Sequence, residues 1–91
     1  MADKIRCAHI LVKTETEAKN IKVRLDKGEK FGAIAKNVSL CPSAKNSGDL
    51  GAFTRGKMVK EFEKAAFALE KGQISEPVKT KLGYHKIKRL E

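Results

Sequence analysis

The chain has 91 residues, 41% hydrophobic and 34% charged, with 20 basic against 11 acidic side chains for a formal charge of +9. That length allows one domain around one modest core, and the apolar content excludes a disordered chain. No apolar run approaches the roughly 20 residues of a bilayer span, and the start MADKIRCAHILVK is a poor leader, so a cytoplasmic location is expected.

Ile5 to Val12 reads as a strand with Cys7, His9 and Leu11 on one face and Arg6, Ala8, Ile10 and Val12 on the other. Both faces are mostly apolar, which suits a central strand covered on both sides. Thr14 then caps a helix, with Glu17 as the capping-box partner, and Ala18, Ile21 and Leu25 follow at helical spacing until Gly28. Phe31, Ile34, Ala35 and Val38 give a second, short helix, which Gly32 weakens without forbidding. An irregular stretch begins at Ser39 and contains Cys41 and Pro42; Leu50 to Phe53 follows as a short strand, and Arg55-Gly56 as a turn. Met58, Val59, Phe62, Ala65 and Ala66 predict a third amphipathic helix running to about Phe67. Gly72 breaks the chain, Glu76 to Thr80 reads as a brief edge strand limited by Pro77, and Leu82-Gly83 as a turn. Tyr84 to Leu90 closes as a strand. The order β-α-α-β-α-β-β predicts an α+β domain, a four-stranded mixed sheet covered by three or four short helices. The last hairpin is antiparallel, and the two long terminal strands lie centrally.

His9 and His85 both sit among apolar strand neighbours, where a solvated histidine is out of place. Each is either a core histidine bonded to a backbone carbonyl or, if the strands are adjacent, one half of a mutually bonded neutral pair. With no secretory signal, Cys7 and Cys41 read as reduced thiols. Cys41 leaves three readings open: a nucleophile, a zinc ligand with Cys7, His9 and His85, or a thiol beside an apolar pocket. Leu50, Met58 and Phe62, with Phe53 and Phe67 nearby, supply that pocket, although ordinary core packing explains them too. One tyrosine and no tryptophan give little support for nucleic-acid binding.

The segments CAHILVK (Cys7–Lys13), FGAIAKNVSLCPSAKNSGDLGAF (Phe31–Phe53), RGKMVKEFEKAAF (Arg55–Phe67), GQISEPV (Gly72–Val78) and GYHKIK (Gly83–Lys88) fall in one order over almost the entire length. In this the chain closely resembles a parvulin-type peptidyl-prolyl cis/trans isomerase, of the small single-domain archaeal or bacterial form. The resemblance implies a parvulin-like fold over residues 1–91 and rotation of X-Pro bonds in peptides and in unfolded or nascent proteins. It implies a monomer that needs no cofactor or metal. It puts the family's paired histidines on His9 and His85, its active-site cysteine on Cys41 and the neighbouring threonine on Thr80. The proline pocket falls on Leu50, Met58 and Phe62, with Phe53 beside it and Leu82 on an apolar rim. The implied catalysis is non-covalent: an apolar pocket favours the twisted, less polar amide. Some members select a phosphorylated residue before proline through arginines after the first strand. Here Lys13 is followed directly by Thr14 to Glu17, so phosphate selection is not expected. The alternative is a non-catalytic chaperone module that clasps proline-containing segments.

The charge has its own expectation. Lys19, Lys22, Lys27 and Lys30, with Lys79, Lys81, Lys86, Lys88 and Arg89, form either an ordinary solvated face or a basic surface. Such a surface makes weak electrostatic contact with anionic membranes, peripherally at the inner face.

Overall fold

A computed structural model describes residues 4–91; residues 1–3, the front of the stretch weighed as a leader, lie outside the described residues. The elements are β1 (Lys4–Val12), α1 (Glu15–Asp26), α2 (Phe31–Val38), a 3-10 turn (Pro42–Asn46), β2 (Asp49–Thr54), α3 (Lys60–Ala68), β3 (Val78–Thr80) and β4 (Gly83–Arg89). The four strands form one sheet in the order β2-β1-β4-β3, so the long terminal strands are central. The mixed sheet expected from the sequence is corrected in one respect: every pairing is antiparallel. Two helices separate β1 from β2, whereas a parallel neighbour is reached by a single-helix crossover.

The α1 boundaries follow from local chemistry. Thr14 Oγ1 accepts from the Glu17 backbone N–H at 3.2 Å and donates to the Glu17 carboxylate at 3.0 Å. At the other end Gly28, at φ +97°, closes a Schellman motif: its N–H reaches Leu25 O and the Glu29 N–H reaches Arg24 O. One departure concerns α3. It starts at Lys60, after an extended Val59, so Met58 stands in the approach to the helix and not on its face.

The alternation of β1 is the organising pattern. Ala8, Ile10 and Val12 pack with Ala18 and Ile21 of α1 and with Phe31, Ile34 and Ala35 of α2. Ile5 and Cys7 turn to the other face, where Phe53, Phe62, Ala66, Leu69 and Ile87 gather under α3. The sheet is therefore covered on both sides, as two apolar faces require.

Between β1 and β2 the register slips at Cys7: Arg6 pairs with Ala52, but Ala8 pairs with Asp49. The His9 N–H then donates to Gly48 O at 2.9 Å. Gly48 has φ +82°, and a Cβ there would lie 2.4 Å from the His9 carbonyl oxygen. Gly51 has φ +76° with nothing within 4 Å of its virtual Cβ. Gly51→Ala should therefore cost only the left-handed strain, about 1–2 kcal/mol in urea unfolding. Gly48→Ala adds a backbone clash and should cost at least about 3 kcal/mol. Equal losses would show that the close approach of Gly48 to β1 is not maintained.

Candidate active site

In the central pair β1–β4, His9 lies opposite Ile87 and Leu11 opposite His85, which makes the histidines diagonal neighbours on the α3 face. Their Nδ1 atoms are 2.9 Å apart, and the rings stack at 17° with centroids 5.1 Å apart. His85 Nε2 lies 2.7 Å from Thr80 Oγ1, which also accepts from the Leu82 N–H at 3.2 Å. A neutral imidazole has one donor and one acceptor, so the chain of bonds has two consistent directions. Either Thr80 donates to His85 and His85 to His9, or His9 donates to His85 and His85 to Thr80. In both, His9 Nε2 is buried without a hydrogen-bond partner among the described residues.

Both rings are almost wholly buried, at 5% and 3% exposure. Desolvation, with a smaller push from His85, lowers the His9 pKa to about 4; burial also lowers that of His85. The pair is thus neutral at ordinary pH. Phe62 stands edge-on to both imidazoles, with centroids 5.5 Å away at 81° and 82°. Phe53 lies behind it, 6.2 Å from Phe62 and 5.9 Å from Phe67, buried as a support within the core. Leu50 and Met58 are half-buried and pack against the same cluster. Leu82, 66% exposed, tips the β3–β4 turn.

Cys41 is tied to this floor through the backbone around it. The Leu40 N–H donates to Leu11 O at 2.8 Å, and Ser39 Oγ accepts from the Leu11 N–H at 3.0 Å. Cys41, half-buried, then opens the 3-10 turn. It is held at the end of β1, next to the strand position that faces His85. No group of three or more His, Cys, Asp or Glu suited to a metal ion occurs among the described residues, which leaves the zinc reading of Cys7, His9, Cys41 and His85 without a cluster. Burial pushes the Cys7 thiol up to about 11. It is a core residue.

The basic surface needs one correction. Lys19, Lys22, Lys27, Lys30, Lys79 and Lys81 are exposed and Lys88 is half-buried, but Lys86 is only 3% exposed. Its Nζ donates to the Ser75 carbonyl at 2.7 Å. A lysine in the middle of a central strand has both faces of the sheet covered, and that placement was the available signal. Ser39 and Ser75 were also missed, because their contribution is a hydroxyl bond to a distant strand, which leaves no local trace.

The family model described as "Rotamase: PPIC-type PPIASE domain" matches residues 9–91. The foldase protein PrsA of Geobacillus kaustophilus is 60% identical over 86 residues, which is 93% of this chain and 31% of that protein. The chain thus spans about a third of the length of the curated relatives it matches. Among solved structures, NmPin, the parvulin of Nitrosopumilus maritimus, superposes with a TM-score of 0.90 at 52% identity, covering 100% of this chain and 99% of that one. CsPin, from the psychrophilic archaeon Cenarcheaum symbiosum, gives 0.87 at 60% identity, with coverage of 100% and 95%. With the two histidines bonded across the central strands and the family model spanning the sheet that carries them, the chain belongs to the PPIC-type PPIase, or rotamase, domain family.

Proposed function

We propose that this chain catalyses cis/trans isomerisation of X-Pro bonds in peptides and unfolded proteins, acting as a monomer without a cofactor. The observation that carries this reading is the neutral His9–His85–Thr80 chain with Phe62 edge-on above it. Rotation about a peptide bond meets a barrier of about 18–20 kcal/mol because the planar amide is stabilised by resonance. Twisting removes that resonance and lowers the polarity of the carbonyl. A dry, apolar cradle favours the twisted state over the planar one, which is differential binding of the transition state. Phe62, Leu50 and Met58 grip the proline ring while the preceding carbonyl turns. Phe53 holds Phe62 from behind, and Leu82 supplies an apolar rim.

The imidazoles act as a fixed floor. Three of their four ring nitrogens are engaged with each other or with Thr80, so none of those three is directed at Cys41. Cys41 tunes the field near the turning carbonyl and forms no bond to it. With no arginine pair following Lys13, the site takes apolar residues before proline and gains nothing from phosphate. The exposed lysines on and after α1, with Lys79 and Lys81, make a weak electrostatic contact with anionic lipid surfaces, which suits an enzyme working in the cytoplasm at the inner face of the membrane.

An X-Pro peptide assay tests the reading. The wild type should accelerate isomerisation, Met58→Ala should lower kcat/KM by about tenfold or more, and Cys41→Ala should cost less. A phosphorylated peptide should react no faster than its unmodified form. Background rates at micromolar protein would replace the enzyme with a proline-segment-binding chaperone. For the lysines, sedimentation should show more binding to anionic than to neutral vesicles, declining with salt; equal partitioning would remove the membrane contact.

Acid should reveal the neutral pair. The folded state holds His9 at about 4, whereas the unfolded chain returns it to about 6.5 and binds more protons between those values. Its contribution is therefore fully present above about pH 6.5 and is lost as pH falls toward 4, about 3 kcal/mol in all. Urea unfolding at pH 7.5 and pH 4.5 should show that loss, much reduced in His9→Gln; equal stability at both would mean the pair is not held neutral.

A further inference from the structure

Beyond β4 the sheet edge changes register. Ile74 pairs with Lys88, but Val78 pairs with His85, so one more residue is spent on the edge side than on β4. Packing shows the same slip independently. Ile74 packs with the α1/α2 cluster while Val78, four residues on, packs with the α3 cluster. In an unbroken strand residues four apart share a face; a one-residue slip exchanges the faces.

The slip is held by two side chains of β4 and the edge. The Ser75 N–H donates to Ile87 O at 2.7 Å, as in a normal ladder. The return bond is different: the Ile87 N–H goes to Ser75 Oγ at 3.0 Å. The Ser75 carbonyl instead takes Lys86 Nζ at 2.7 Å. Glu76 and Pro77 follow before pairing resumes at Val78. A buried ammonium has been spent where an apolar residue would ordinarily fill the strand, and its bond goes to the carbonyl freed by the bulge.

We propose that Lys86 is a positioning residue for isomerisation: through the Ser75 carbonyl it locks the slip that turns Thr80 onto the face of His85. Without the slip Thr80 would fall on the α1/α2 side, and the His85 Nε2 bond to Thr80 Oγ1 would be lost. Lys86 touches no substrate; its side chain leaves β4 on the face opposite the histidines. The proposal rests on the isomerase reading for its rate effect but not for its register effect, and the two are measured separately.

The test uses the full chain with Lys86→Met and Lys86→Ile, which keep bulk and remove the donor. NMR reads whether Val78 still faces His85 and whether the His85 ring-nitrogen shifts still report the Thr80 bond. Peptide kinetics read kcat and KM. The expected result is a folded variant with the Val78–His85 pairing lost or averaged, kcat down about tenfold and KM within about twofold. A folded variant that keeps either the wild-type register or the wild-type kcat overturns the proposal. If neither variant folds, the wild type decides: the Lys86 ammonium should exchange slowly and show scalar coupling to the Ser75 carbonyl, and its absence overturns the proposal. A wild type inactive toward every X-Pro peptide defeats the isomerase reading and leaves the register result intact.

Discussion

A single hydrogen bond between two buried imidazoles, His9 Nδ1 to His85 Nδ1, sets conditions that much of the structure meets. It demands that β1 and β4 be neighbours, and they are the two central strands. Its burial demands neutrality, because a charged ring would lose its water to an apolar surround. Neutrality in turn needs water kept away, and Phe62 lies edge-on to both rings while Phe53 supports it. The bond also couples the protons along the chain to Thr80, since each neutral ring gives one and takes one, so that the whole chain runs in one direction or the other. A floor built this way is rigid and almost without charge.

That floor is framed by two register slips, one on each side of the central pair. On the β2 side the slip at Cys7 lets the Gly48 carbonyl accept from His9, and only a glycine fits so close to β1. On the β3 side the slip after Ile74 turns Thr80 toward His85. Bulges of this kind re-aim side chains that a regular ladder would point elsewhere. Arg6 adds a clamp to the first: its guanidinium meets the Asp49 carboxylate, holding that carboxyl below its usual range, while Asp49 Oδ1 also accepts from the Gly51 N–H at 2.8 Å.

The order of elements and the faces of β1 were legible because periodicity carries them: Ala8, Ile10 and Val12 separate from Ile5 and Cys7 as alternation requires. The caps of α1 were legible for the same reason, being local chemistry at Thr14 and Gly28. Sheet polarity was not, since nothing local in a strand records its partner's direction. Met58 was misplaced by apolar spacing that begins two residues before the true helix start at Lys60. For the site, the histidines showed themselves as polar residues in apolar strands, and the match to a known family supplied the roles proposed for Leu50, Phe62 and Cys41. Ser75 and Lys86 stayed hidden because a bulge is a relation between two strands, whereas their residue types look like an ordinary turn and an ordinary solvent-facing alternation.

The chemistry of the reading explains why such a site can be small. A hydrolase must move protons, so its imidazole has to point at the nucleophile and change charge during the reaction. Here the Nδ1 atoms face each other and His85 Nε2 faces Thr80, so none of the three points at Cys41, and burial holds both rings neutral. Rotation about an X-Pro bond transfers no proton and breaks no bond; it only exchanges a polar planar amide for a less polar twisted one. On the proposed reading, a neutral floor held by two cross-strand imidazoles, with Phe62 above it, disfavours the first state relative to the second. The work left to the fold is placement, and the bulges beside Gly48 and Ser75 are where placement is set.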